Sequence, residues 1–217
     1  LGGSLSFNWN NQYLTVPNSS NFSPGTGDFT VEWFQYQQST SNWPRPFSIG
    51  STQLAVSIEG GSLYLWLGGT WIANAALTNY LNTWAHFAIV KSSSNIKVYK
   101  DGVAIINIAN TSNIAFTGAF NIGAKDGSNA GESFNGYITN FRFSNAAIYT
   151  SNFTVSTSPL TSSASTKLLL LASNSGSILT DSGPSALTLT NTASTVFKKF
   201  FLRGGQFASV EVVNFNR

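Results

Sequence analysis

The chain has 217 residues, of which 9% are charged and 14% aromatic, with a net charge of +3; this excludes a disordered chain and a strongly basic nucleic-acid footprint. A single histidine and no cysteine exclude a zinc centre and disulfide staples. No run of residues has the length and apolarity of a membrane-spanning helix, and a start at Leu1 rather than Met points to a processed or partial product.

Alternating apolar and polar residues, punctuated by turn residues, predict short β-strands throughout. Leu5–Trp9 and Tyr13–Val16 alternate and are separated by Asn10-Asn11-Gln12. Phe29–Tyr36 is a long aromatic and β-branched strand. Leu54, Val56 and Ile58 alternate with small or polar residues, and Gly60-Gly61 supplies a two-residue hairpin turn into Leu63–Leu67. Gly68-Gly69 turns again into Trp71–Ala76, which makes a meander. Trp84–Val90 follows, then Ile96–Lys100 and Val103–Ile108 around a strong Asp101-Gly102 turn. Phe120–Gly123 and Tyr137–Phe143 bracket a polar loop. Leu168–Leu171 reads as a strand buried on both faces, and Ala186–Thr190 as a closing strand. No stretch keeps a helical period over three turns, and Ser144–Thr150 has room for one short turn. The expected fold is all-β, a two-sheet antiparallel jelly-roll sandwich.

Two units are expected: residues 1–194 as the sandwich, and 195–217 as a C-terminal arm or an extra edge strand. In the latter, Val196–Leu202 is basic and apolar, and Gln206–Phe215 alternates. The arm, which would pair with another subunit, is the favoured reading of that tail.

Six stretches in order carry a family resemblance. They are Ser4–Phe7 with Gln12–Pro17, Gly27–Phe34, Asn82–Lys91 around Trp84 and His86, Val98–Gly102, Ile122-Gly123 with Phe134–Phe143, and Leu168–Leu171 with Asp181-Ser182-Gly183. Together they resemble the laminin G-like branch of the concanavalin A-like lectin/glucanase superfamily. The stretches Phe29–Gln37 and Pro44–Gly50 look like versions found in surface proteins of large algal viruses and phages. The resemblance implies a concanavalin A-like sandwich and an extracellular or virion-surface location. It also implies glycans or neighbouring protein subunits as partners. Where the family's closing strand carries an aspartate, this chain has Leu171-Ala172-Ser173-Asn174. That departure puts a calcium site in doubt.

Glucanases of the superfamily place two carboxylates on one strand. The nearest pair here, Asp28 and Glu32, would lie about 13 Å apart along a strand. That exceeds the roughly 5–5.5 Å of retaining and about 6.5–9.5 Å of inverting enzymes. His86 sits within an apolar strand and reads as a packed, hydrogen-bonded residue rather than a catalytic base. Glycoside hydrolysis therefore ranks third among the functions considered, and no catalytic residue is assigned.

Three places hold residues suited to a ligand. The loop Ser41–Pro46 offers Trp43 and Arg45 between prolines that stiffen it; alternatively Trp43 packs onto the sandwich and Arg45 is solvated. The loop Lys125–Glu132 offers Asn129 to a glycan, and Asp126 and Glu132 to calcium; alternatively it is a polar turn. Tyr64, Trp66 and Trp71 form either an aromatic platform or buried packing. A glycan-binding surface module, with no cofactor or with calcium, is expected first. A structural assembly protein without sugar affinity, homo-oligomeric or part of a larger assembly, is expected second.

Overall fold

A computed structural model describes residues 3–126, 132–192, 195–203 and 206–211. Among the described residues, sixteen strands form two antiparallel sheets. The first sheet holds β1 (Gly3–Asn8), β3 (Phe29–Gln37), β8 (Trp84–Ser92), β9 (Asn95–Lys100), β10 (Val103–Ala109), β12 (Asn135–Ser144), β13 (Thr166–Leu170), β15 (Val196–Arg203) and β16 (Gln206–Glu211). Its order is β10-β9-β8-β3-β12-β1-β15-β16, and β13 continues beside β12 where β1 ends. The second sheet holds β2 (Tyr13–Val16), β4 (Phe47–Ile49), β5 (Leu54–Glu59), β6 (Ser62–Leu67), β7 (Thr70–Ala76), β11 (Phe120–Ile122) and β14 (Thr190–Thr192), in the order β14-β2-β11-β4-β5-β6-β7.

The period-two patterns become the two faces of these sheets. Leu54, Val56 and Ile58 face Leu63, Leu65 and Leu67 in register, and all six line the core. Trp33 sits at its centre, 5.1 Å from Phe47, 5.7 Å from Phe87 and 6.1 Å from Phe141 between ring centroids. A core this rich in aromatic rings gains both area burial and ring–ring contact. Beyond Trp33 the inner face of β3 turns polar without leaving orphans. Trp33 Nε1 donates to Gln35 (2.7 Å), Gln35 to Gln37 (3.0 Å), and Gln37 to the carbonyl of Ile58 (3.0 Å). This relay ties β3 to β5 across the sandwich.

The hairpin turns follow the glycine signals. Asp101 and Gly102 take φ of 51° and 80°, and Gly60 and Gly61 take 57° and 81°, as two-residue turns with left-handed central residues require. Gly136 is held at φ +139°, where a Cβ would fall 2.0 Å from the carbonyl oxygen of Tyr36. Gly136→Ala is therefore expected to cost about 2–3 kcal/mol in chemical denaturation.

Two expectations shift, and one strand was not expected. The unexpected strand, β4, follows Pro46 directly and is too short for periodicity to reveal it. Ala186–Thr190 does not form the closing strand; pairing with β2 begins only at Thr190. The reason is Asp181, whose carboxylate accepts from the backbone N–H of Leu169 (2.9 Å), Gly183 (2.8 Å) and Leu187 (2.9 Å). This curls the chain, and Ala186 takes φ 46°. Ser144–Thr150 forms no helical turn and instead lies over the first sheet. At the C-terminus, β15 pairs antiparallel with β1 of the same chain. Residues 212–217 lie outside the described residues.

The outer face of the first sheet carries a buried ionic cluster. Glu32, fully buried, receives Nε of Arg142 at 2.8 Å and the hydroxyl of Tyr149 at 2.8 Å, and lies 3.2 Å from His86 Nε2. Burial alone would raise the Glu32 pKa; the His86 hydrogen bond and the Arg142 guanidinium outweigh it and hold it below the ordinary 4.5. Tyr149 is shifted the other way by burial and by the Glu32 charge. The segment after β12 is anchored here: Arg142 also donates to the carbonyl of Thr161 (2.8 Å), and Tyr149 stacks on Phe153 at 3.6 Å.

Candidate functional site

On β6, Tyr64 and Trp66 point away from the core, opposite Leu63, Leu65 and Leu67. β7 lies on one side of β6, and a bulge between Leu65 and Trp66 sets Trp71 beside Trp66. On the other side lies β5, along which the segment leading into β4 runs; the Pro44 carbonyl accepts from Ile58 N–H at 3.3 Å. This arrangement delivers Trp43 from the loop and Trp71 from β7 to the same tyrosine. Ring centroids are 4.8 Å apart for Trp43–Tyr64 and 5.3 Å for Tyr64–Trp71. Trp43 is 41% and Trp71 49% exposed. The rings are inclined by 58° and 68°, so they form a stepped trough rather than a flat shelf.

The backbone that presents Trp43 is unusual. Asn42 and Trp43 take φ of 63° and 55° in succession. Asparagine tolerates that region, but a bulky residue there is an outlier, and one placed directly before a proline is the least expected. Such strain costs on the order of 1–3 kcal/mol, and it holds an indole in solvent rather than in the core.

Arg45 and Trp66 serve beneath the trough. Arg45 is buried rather than solvated. Its Nε donates to Glu132 at 2.6 Å, and its guanidinium lies 5.3 Å from the centre of the Trp66 ring. Lys125 reaches the other oxygen of Glu132 at 3.0 Å. Arg45 thus clamps the Trp43 loop to the segment after residue 131 and covers Trp66, leaving Tyr64 as the middle ring of the open row. Of the residues expected from sequence, the structure brings Trp43, Arg45, Tyr64, Trp66, Trp71 and Glu132 to one face. Asn129 lies outside the described residues.

Asp126 and Glu132 are both already engaged within the chain. Glu132 is already shared by two cations, and Asp126 accepts from the Ser51 hydroxyl at 2.7 Å. A calcium ion takes six to eight oxygen ligands, and among the described residues no group of three or more His, Asp or Glu side chains converges. Of the pair tested for hydrolysis, Glu32 is engaged in the buried cluster and Asp28 accepts from Ser93 N–H at 2.7 Å.

A separate cleft of about 450 Å³ opens at the rim of the sandwich, between the β6–β7 turn and the loop after β10; it is lined by Gln53, Leu67, Ile72, Asn110, Asn113 and Phe116. Ile72 packs against the core whereas its neighbour Trp71 points outward, so the cleft and the trough are different places. The Gln53 amide is already spent on Thr117 and Gly118. With Trp43 and Trp71 both exposed and both packed on Tyr64, the trough is taken as the candidate site.

Comparison with known proteins gives a family match over residues 8–152, to a model described as concanavalin A-like lectin/glucanases superfamily. A search of curated protein sequences gave no match. The fold superposes on a Bacteroides ovatus protein to which carbohydrate binding is ascribed, with TM-score 0.67 and 17% identity, over 91% of this chain. The aligned part is 59% of that protein, so this chain spans less than two thirds of its length. Domains LG4-5 of the mouse laminin alpha1 chain align at TM-score 0.48 and 15% identity, over 70% of this chain and 45% of theirs. A heptameric SAP-like pentraxin of Limulus polyphemus aligns at 0.46 and 16%, over 66% and 80%. At 17% identity the likeness to the Bacteroides ovatus protein is one of fold.

Proposed function

This chain belongs to the laminin G-like family of the concanavalin A-like lectin/glucanases superfamily, and on that premise we propose that it is a non-enzymatic glycan-binding module. The observation that carries the reading is the open row Trp43–Tyr64–Trp71, whose outer rings are exposed and one of which is held there by strained backbone. Sugar rings present C–H faces that lie well on aromatic faces, while nearby polar groups fix their orientation. The Bacteroides ovatus protein of like fold lends support through the binding ascribed to it. The module would act extracellularly or on a virion surface, since a chain with only 9% charged residues meets neighbours at little electrostatic cost.

A glycan array probed with the purified chain tests this. Binding to at least one glycan, lost on Trp43→Ala, is the expected result.

A second reading is structural assembly without sugar affinity. It is favoured by β16, which is the last strand of its sheet among the described residues and so offers an edge to a neighbour. Sedimentation analysis decides: a monomer removes the assembly reading, and a stable oligomer that binds no glycan on the array removes the lectin reading.

A further inference from the structure

We infer that the trough takes a neutral, hydroxyl-rich oligosaccharide and does so without a divalent cation; this rests on the glycan-binding reading above. The charges beside the rings cancel among themselves. Glu132 joins Arg45 (2.6 Å) and Lys125 (3.0 Å), and its side chain is 17% exposed. One further carboxylate, Glu59, ends β5 on the face opposite Leu54, Val56 and Ile58. Two carboxylates against two cations leave no net positive field to attract a uronate or a sulfated sugar.

A bridging calcium meets the opposite obstacle. To reach Glu132 it would have to displace one of two cations already bound to it.

Isothermal titration of the full chain with cellohexaose, maltohexaose and mannohexaose, against oligogalacturonate, tests this in EDTA and in calcium chloride. Binding of at least one neutral hexamer is expected, unchanged by EDTA, with oligogalacturonate at least about tenfold weaker. Binding confined to oligogalacturonate, or abolished by EDTA, overturns this inference while leaving the glycan-binding reading intact. No binding by any of the four, with no hit on the array, removes both. Glu132→Gln supplies a second readout: with Arg45 and Lys125 no longer matched, oligogalacturonate affinity is expected to rise about tenfold or more while neutral hexamers hold within about twofold. No gain for the acidic sugar contradicts the charge-cancellation account.

Discussion

Glu32→Gln is expected to lower the stability of the folded chain by about 3–5 kcal/mol, read as a shift in the denaturation midpoint with unchanged slope. The mutation removes one charge from a buried set and leaves the Arg142 guanidinium, 8% exposed, without its counter-ion. It also leaves one acceptor oxygen where Arg142, Tyr149 and His86 share two, and the stacking of Tyr149 on Phe153 pins the segment after β12. The same carboxylate sets an acid limit. Its folded-state pKa lies below the ordinary 4.5, so its contribution is fully present above that value and is lost as pH falls through the folded-state value. Wild type should therefore lose this contribution as pH falls below about 4.5, and Glu32→Gln should show a flatter profile there. Equal acid profiles for the two would contradict a structural role for this cluster.

Combining Trp43→Ala with Trp71→Ala is expected to abolish glycan binding while leaving the fold intact. Each indole is exposed by more than two fifths, so its removal makes no cavity in the core. Tryptophans at the centre of a binding surface typically carry about 2 kcal/mol or more each, or about 30-fold in affinity. The double variant then falls by about three orders of magnitude if the two are independent. Trp43→Ala also releases the strain at φ 55° only in part, since alanine shares the steric limit, whereas Trp43→Gly releases it. Trp43→Gly is thus expected to be slightly more stable than Trp43→Ala, and no better at binding. Retention of wild-type affinity in the double variant would move the binding surface elsewhere.

The sheets were legible where their causes are local. Asp101-Gly102 and Gly60-Gly61 announce their hairpins because two left-handed residues are needed in succession, and the φ values follow. Leu54–Ile58 and Leu63–Leu67 show their inner faces by alternation alone. What stayed hidden depends on partners far along the chain. Arg45 reads as a ligand-facing or solvated cation until Glu132, 87 residues away, is brought beside it, and Glu32 reads as a partner of Asp28 until Arg142 arrives from 110 residues on. The alternation of Leu187 and Leu189 suggests a strand, but the carboxylate of Asp181 captures Leu187 N–H and turns the chain. The aromatic row was visible as composition, since Trp43, Tyr64 and Trp71 were each suspect; that they meet at one tyrosine follows from the β7 bulge and from the path of the Pro44 segment along β5.

Locating the ligand is the most direct test. The chain has six tryptophans, so indole N–H resonances can be followed individually by NMR during titration with a bound oligosaccharide. Shifts concentrated on Trp43 and Trp71, with the side-chain amides of Gln53, Asn110 and Asn113 unmoved, are predicted. Shifts confined to those three amides around the rim cleft, with both indoles unmoved, would place the sugar there and contradict the trough.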